Sequence, residues 1–260
     1  MVLKYVKLGL ASTVLFTGLS FAEHDVSAVD YAKKIQNLAP GVKLSDIQKS
    51  VKTIAKQEKK STATVYKELY VELSKDSIEG ASEAKKLGIN LNNSAHIMGG
   101  NSSNEKKSHY LNAKKLNKKI KKGHFFYTPS STYGANHGHV GLFYSKTAIV
   151  ESVPGAGVRR ISVSKRRVDN KGAVLKSVTV STKKRDAAAN WANSRVGKDK
   201  YSTNFFNNRT TSHYGDKNCS KLIWSAYKLK AHIDLDNDKG KGVYPRDIRD
   251  SKLTKKVATI

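Results

Sequence analysis

The apolar residues of this chain change their spacing at Gly123, and that change limits the folds open to it. Before Gly123 they recur every three or four positions, as on one face of a helix. After it they come in short runs rich in Val, Ile and aromatic residues, bounded by Gly, Ser and Lys. In "SDIQKSVKTIAKQEKK", Ile47, Val51, Ile54 and Ala55 share a helical face, with Ser45 or Asp46 as the expected N-cap. "STATVYKELYVELSK" follows, with Val65, Leu69, Val71 and Leu73 apolar and Ser61 or Thr62 as cap. "SIEGASEAKKLGIN" then ends at Gly88, a glycine suited to the position after a helix. Residues 29–100 are thus expected to be a small helical region acting as a pro-segment, a wall-binding module or a spacer. Residues 101–122 are polar and lysine-rich and are expected to be a basic linker, with a domain boundary near 105.

The second half, 123–260, has strand runs first and helices late. "HFFYTPSS", "HVGLFYS", "TAIVESV", "GVRRISVS" and "AVLKSVTVS" are the strand candidates. "RDAAANWANSRVG" and "CSKLIWSAYKLKAH" carry helical spacing. That order predicts an α+β domain with packed helices on an antiparallel sheet.

Charge narrows the partners. Lys and Arg number 48 against 21 acids, a formal net charge of +27. Such a chain is drawn to anionic polymers or surfaces. Zinc-finger spacing and aromatic–basic stacking motifs are missing, so nucleic acid is not the expected partner. The anionic polymers of a bacterial wall and an anionic membrane surface remain, and charge does not choose between them. The N-terminus agrees with export. "MVLKYVK" is short and basic, "LGLASTVLFTGLSFA" is apolar, and Ser20 and Ala22 suit cleavage before Glu23. A second possible cut follows Ala28. Residues 1–22 are therefore expected to be a signal peptide, and the protein to be secreted or associated with the cell wall.

The chain has one cysteine, in "GDKNCSKLIWSAY". Cys219 falls at the start of a predicted helix that Asn218 or Asp216 would cap. Free N–H groups and the helix dipole favour a thiolate there, lowering its pKa into a range of about 3.5–7.5 beside a histidine. A buried core thiol is the competing reading. A nucleophile needs a base, and the base an orienter. His139 opens an apolar strand with Gly141 beside it, and Glu151 is an isolated carboxylate in "AIVESV". Side chains alternate along strands. A two-residue turn at Ser145-Lys146 would pair His139 with Ser152 and put Glu151 on the other face. A three-residue loop or a bulge would set Glu151 opposite His139. Glu151 as orienter thus requires an odd loop; a tight turn would favour Ser152 or an Asn instead. Tyr201, in "DKYSTNF", and Asn218 are the candidates for oxyanion or substrate contacts near the thiol.

"GHVGLF", "AIVESVPGAGV", "NCSKLIWSAY" and "YPRDI", in that order, resemble the YiiX-like permuted papain-fold peptidases, relatives of the NlpC-type cell-wall peptidases. The resemblance spans roughly residues 120–250. It implies a circularly permuted papain-like domain in which the histidine strand precedes the cysteine helix. It also implies a Cys-His-Glu constellation, here Cys219 as nucleophile, His139 as base and Glu151 as orienter. Where such proteins often open on Gly-Asp-aliphatic, this chain has Gly123-His124-Phe125. The activity implied is that of a thiol hydrolase cleaving an amide bond in the peptide part of peptidoglycan, with no cofactor; peptidoglycan or another anionic envelope polymer is then the expected partner. A lipid-directed thiol hydrolase or acyltransferase and a non-catalytic wall-binding protein are the alternatives.

"DLDNDKGKG" places Asp234, Asp236 and Asp238 at calcium-loop spacing. Lys239 stands where an EF-hand needs Gly, and Pro245 where it needs Glu. The stretch is therefore read as a solvated acidic loop, and no metal is expected.

Overall fold

A computed structural model of the chain describes residues 28–39, 41–89, 108–111, 116, 118–132, 135–169 and 171–260. The expected signal peptide, the boundary near 105 and most of the expected linker lie outside the described residues.

Three helices open the fold: α1 (Ala28–Leu38), α2 (Leu44–Glu58) and α3 (Thr62–Leu87). Ile35, Ile47, Val51, Ile54, Val65, Leu69 and Leu73 pack together as their common core. Ser61 caps α3 by accepting the Thr64 N–H at 3.0 Å, and Gly88 ends it at φ 63°. α2 starts differently from the expectation. Lys43 is its N-cap and makes no side-chain cap bond, so Ser45 and Asp46 fall inside the first turn. Asp46 still suits that position, because the positive end of the helix dipole favours a carboxylate. Val71, grouped with the apolar face, is exposed. Gly80 lets α3 lie against the rest of the molecule, since a Cβ there would fall 2.1 Å from the Asn136 carbonyl oxygen.

The main sheet has six antiparallel strands in the order β10-β9-β2-β5-β6-β7. They are β2 (Phe125–Thr128), β5 (His139–Phe143), β6 (Ala148–Val153), β7 (Gly157–Ser162), β9 (Val174–Val178) and β10 (Thr254–Thr259). Short pairs flank it: β1 (Ser108–Tyr110) with β8 (Arg167–Asp169), and β3 (Ser131–Thr132) with β4 (Ala135–Asn136). One face turns Phe125, Tyr127, Val140, Leu142 and Val150 towards α4 (Thr182–Asn193) and α5 (Cys219–Ala231). The other turns Phe126, Phe143, Ile149 and Leu175 towards Leu111, Leu116, Val163 and Val168. This is the expected α+β layering. β10 and α6 (Pro245–Asp250) are additions. β10 forms an edge strand with Lys255 and Lys256 exposed, a composition that blunts an edge but hides a strand from pattern reading.

The helical region is built into the domain. Phe206 and Tyr244, from the second half of the chain, are part of the α1–α3 core. Tyr127 donates its hydroxyl to Glu83 Oε2 at 2.6 Å. Asp76 Oδ2 lies 2.6 Å from His137 Nδ1, and its other oxygen takes the buried Arg246 guanidinium. Removing one partner of such a buried pair leaves an uncompensated charge. Asp76→Ala is therefore expected to lower unfolding free energy by about 3–5 kcal/mol. Urea unfolding followed by fluorescence and circular dichroism measures this, and coincident transitions are expected in the parent chain; a helical region melting separately would show that the contacts do not couple it.

Candidate functional site

The turn between β5 and β6 decides whether His139 and Glu151 can meet. The Tyr144 N–H bonds the Ala148 carbonyl at 2.9 Å, leaving Ser145, Lys146 and Thr147 as a three-residue loop. The loop is odd, as the Glu151 assignment requires. The register is not the one expected, because Leu142 pairs with Val150 and Phe143 with Ile149. Continued, that register sets Glu151 opposite Gly141, so it reaches His139 diagonally. Diagonal neighbours on one face are within reach of long side chains. Glu151 Oε2 lies 2.8 Å from His139 Nε2, with both side chains fully buried. Gly141 does not leave empty room. The Phe126 ring fills the place beside it, and a Cβ at 141 would fall 2.3 Å from that ring.

Two arginines complete the cluster. Arg166 donates Nε to Glu151 Oε2 at 2.8 Å and is itself fully buried, its guanidinium over the Phe126 ring. Arg159, the cross-strand partner of Glu151 on β7, donates Nη2 and Nε to Oε1 at 2.8 and 3.1 Å. Burial works to raise the Glu151 carboxyl, but Arg166, His139 and Arg159 together hold it far below the usual carboxylate range. Burial, with Arg166 and Arg159 beside it, holds the His139 imidazole low despite Glu151. Sequence reading missed both arginines. Arg166 sits in "SKRR", which looks like a solvated basic run; the one available signal was the need of a buried carboxylate for a cation.

Cys219 opens α5. Asn218 is the N-cap, its Oδ1 accepting the Lys221 N–H at 2.9 Å and the Ser220 hydroxyl at 3.0 Å. Its Nδ2 donates to the Asn204 carbonyl at 3.2 Å, so this side chain builds the helix start and ties down the preceding loop. Asp216 does not cap; it accepts the Lys200 N–H at 3.2 Å and closes the base of loop 200–217. The thiol is fully buried. The N–H groups of Val140, Ser220 and Cys219 act on it to favour the thiolate, yet burial outweighs them and pushes it up to about 11. Of the two readings of Cys219, its burial is that of a core thiol: the helix dipole is present, but the site lacks the solvent that a bare thiolate needs.

Thiol and imidazole leave β5 on opposite faces, with Val140 on the thiol side. The Val140 N–H acts on the sulfur to favour the thiolate, and His139 is the preceding residue. β5 turns Val140 towards α5 and His139 towards Phe126 and Arg166. His139 Nδ1 is buried and has no hydrogen-bond partner among the described residues, and none joins it to the thiol. Tyr201 presents a buried hydroxyl that also has no partner among the described residues. Burial and the Cys219 thiol both push that hydroxyl well above its usual value, which puts it within electrostatic reach of the sulfur.

The acidic loop after α5 is not solvated as expected. Asp236 is buried. Burial pushes its carboxyl up to about 6 and that of Asp247 up to about 8.

No protein-family model matches the chain. The chain is similar to the Bacillus subtilis (strain 168) protein described as "Uncharacterized protein YycO", with 44% identity over 235 residues, 90% of this chain and 89% of that one. Among solved structures it is similar to the metalloprotein yiiX from Escherichia coli O157:H7, DUF1105. That match has 15% identity and a TM-score of 0.41, and covers 55% of this chain and 98% of the other. The YiiX likeness named from the motifs is thus met again in three dimensions, at a level that carries no argument about the site.

Two measurements check this geometry. Glu151→Ala strands two arginines, one fully buried, and is expected to cost about 3–5 kcal/mol in urea unfolding. His139→Ala leaves Glu151 its two arginines and should cost less, about 1–3 kcal/mol; equal losses would contradict the cluster. Iodoacetamide alkylation of Cys219 in the folded chain should be slow at neutral pH. Its rate should keep rising through pH 8.5 without a plateau, because the pKa is displaced upward. A plateau below about 7.5 would mean a preformed thiolate.

Proposed function

The chain belongs to the family of Bacillus subtilis YycO, and on that premise we propose that it is a thiol hydrolase of permuted papain-like organisation. In this reading Cys219 is the nucleophile, His139 the base and Glu151 the orienter. The observation that carries it is the state of His139. One ring nitrogen is held by a buried carboxylate, and the other is buried with no hydrogen-bond partner among the described residues, on the residue before Val140, whose N–H acts on the Cys219 sulfur at the start of α5. An imidazole held at Nε2 and open at Nδ1 is the form that accepts a proton.

The chemistry starts from a neutral pair. For His139 Nδ1 to take the thiol proton as the sulfur attacks a carbonyl carbon, the start of β5 has to turn the ring from the Phe126 side towards α5; charge then forms only along the reaction path. The N–H of Cys219 and the Tyr201 hydroxyl, which has no partner among the described residues, are the donors for the resulting oxyanion. His139 returns the proton to the leaving amine, and water then releases the acyl group from the sulfur. Asn218 serves the helix start in this scheme. The substrate proposed is an amide in the peptide part of peptidoglycan, with the chain exported and its charge holding it on anionic polymer. A second reading has one observation in its favour. The fully buried thiol also suits a wall-binding protein that performs no chemistry.

Purified wall incubated with the full chain, with Cys219→Ala and with His139→Ala separates these readings by mass spectrometry of new amine termini. The hydrolase should release them. Cys219→Ala should abolish release, and His139→Ala should slow it by about 10²–10⁴-fold. Anionic vesicles assayed in parallel for free fatty acid test the lipid-directed alternative. Acyl release with no new termini would keep the thiol chemistry and remove the amide. Neither product from the parent chain, with wall binding unchanged in both variants, would leave the binding protein.

A further inference from the structure

The loop joining α5 to α6 divides its carboxylates into two groups. Asp234 turns back to α5, accepting from Trp224 Nε1 at 2.8 Å, Arg209 Nη2 at 2.7 Å and Lys228 Nζ at 3.2 Å. Asp236, Asp238 and Asp247 converge instead, with one carboxylate oxygen from each lying within 4.8 Å of the others. Lys239 takes φ 59°, so the chain makes at a non-glycine residue the left-handed turn that a cation loop uses to fold its ligands inward. Asp247 is delivered from the first turn of α6, where its Oδ2 accepts the Tyr244 N–H at 2.7 Å.

The group is more than a crowd of acids. The Asp236 side chain has no exposure. Its Oδ2 takes Arg209, but its Oδ1 has no hydrogen-bond partner among the described residues, and its carboxylate lies against that of Asp238. A buried carboxylate oxygen with nothing to bond carries a desolvation cost that a ligand would relieve. The local charge is also unbalanced. Glu72, Asp234, Asp236, Asp238 and Asp247 face Arg209, Lys228 and Lys75, the last 3.0 Å from Asp238 Oδ2. Glu72 is held by the N–H groups of Lys241 and Gly242 at 2.8 Å each, while the Lys241 ammonium goes to Glu58 and Glu68. Five carboxyl groups thus share three cationic side chains inside a chain of net +27.

We propose that Asp236, Asp238 and Asp247 hold a hard divalent cation of the calcium type. The donors are all carboxylate oxygen, the ligand of calcium rather than of zinc or copper. Calcium–oxygen distances of roughly 2.4 Å put ligands on opposite sides of the ion about 4.8 Å apart, so these oxygens fit on one shell. Magnesium, at roughly 2.0–2.1 Å, would require them to close up. Asp238 and Asp247 also line a groove of about 670 Å³ between α3 and α6, which supplies an entry path and water for the remaining positions. A cation here would pin the loop that follows the cysteine helix to α6 and to the α3 side of the molecule.

The full chain, stripped with chelator and dialysed, is titrated with terbium while exciting tryptophan, since the Trp224 indole bonds Asp234 two residues from Asp236. Luminescence should saturate at one ion per chain and be displaced by calcium at least tenfold more readily than by magnesium. The melting temperature should rise by about 5 °C at calcium 100-fold above its Kd. Asp238→Asn, at an exposed position where the fold should tolerate it, should weaken calcium at least tenfold without lowering the melting point of the stripped protein. Asp247→Asn should do the same and retain the Tyr244 cap. No terbium signal and no melting shift up to about 10 mM calcium, well past the weakest class of such sites, would overturn the proposal. So would binding that survives unchanged in both variants.

Discussion

The Glu151 carboxylate sets terms that the surrounding sheet has to meet. A charge with no access to water costs several kcal/mol unless it is paired and hydrogen-bonded on every side. Here each oxygen is taken. Arg159 grips one from the neighbouring strand; Arg166 and His139 share the other. That demand explains features far from any reaction. β7 must lie beside β6 in the register that sets Arg159 opposite Glu151. The 3-10 turn Val163–Lys165 must bring Arg166 back under the sheet. Position 141 must be glycine so that the Phe126 ring can slide beneath the Arg166 guanidinium. The imidazole then inherits a fixed orientation from a cluster whose first task is to keep a buried charge tolerable.

The same burial governs the thiol. Helix-start N–H groups and the Val140 N–H favour a thiolate, but they act inside a dry site, and burial prevails. Imidazole and thiol are both pushed towards their neutral forms, His139 down and Cys219 up. A neutral thiol has a chemical advantage in an oxidising surrounding. A thiol without thiolate character and without solvent is a poor target for oxidants. In the proposed hydrolase, proton transfer and attack on carbon would then occur together, with donors already in place for the charge that develops.

Much of this was legible in sequence, for reasons that can be named. Parity alone showed that Glu151 could share a face with His139 only through an odd loop, and the loop has three residues. The register escaped, because the turn holds its last bond between Tyr144 and Ala148 rather than one residue earlier. Nothing local distinguishes those two choices. Asn218 as cap was readable because a side-chain acceptor before an amphipathic run has one main use. Arg166 was not, since "SKRR" is indistinguishable from a surface run until the long-range fold buries one member of it. The acidic loop failed in the opposite way. Its spacing was compared with an EF-hand ending at position 245, whereas the third carboxylate comes from Asp247, two residues further and on a new helix. Linear motifs do not show carboxylates that a helix start delivers.

The helical region gains meaning from where the acids go. Glu58, Glu68, Asp76 and Glu83 on α2 and α3 face inward to Lys241, Arg246 and Arg249, basic groups of the second half. Glu151, Asp199 and Asp234 are likewise spent on internal arginines and lysines. Few carboxylates are left to offset the exposed lysines, so the outer surface is more uniformly positive than the ratio of basic to acidic residues suggests. Attraction to an anionic polymer would arise from that surface as a whole and would fade with salt over a Debye length of about 8 Å at physiological ionic strength. The internal acids hold the helices to the sheet, and the charged exterior would hold the molecule to the proposed polymer. A helical region detached from the domain would expose those carboxylates and lose part of both effects.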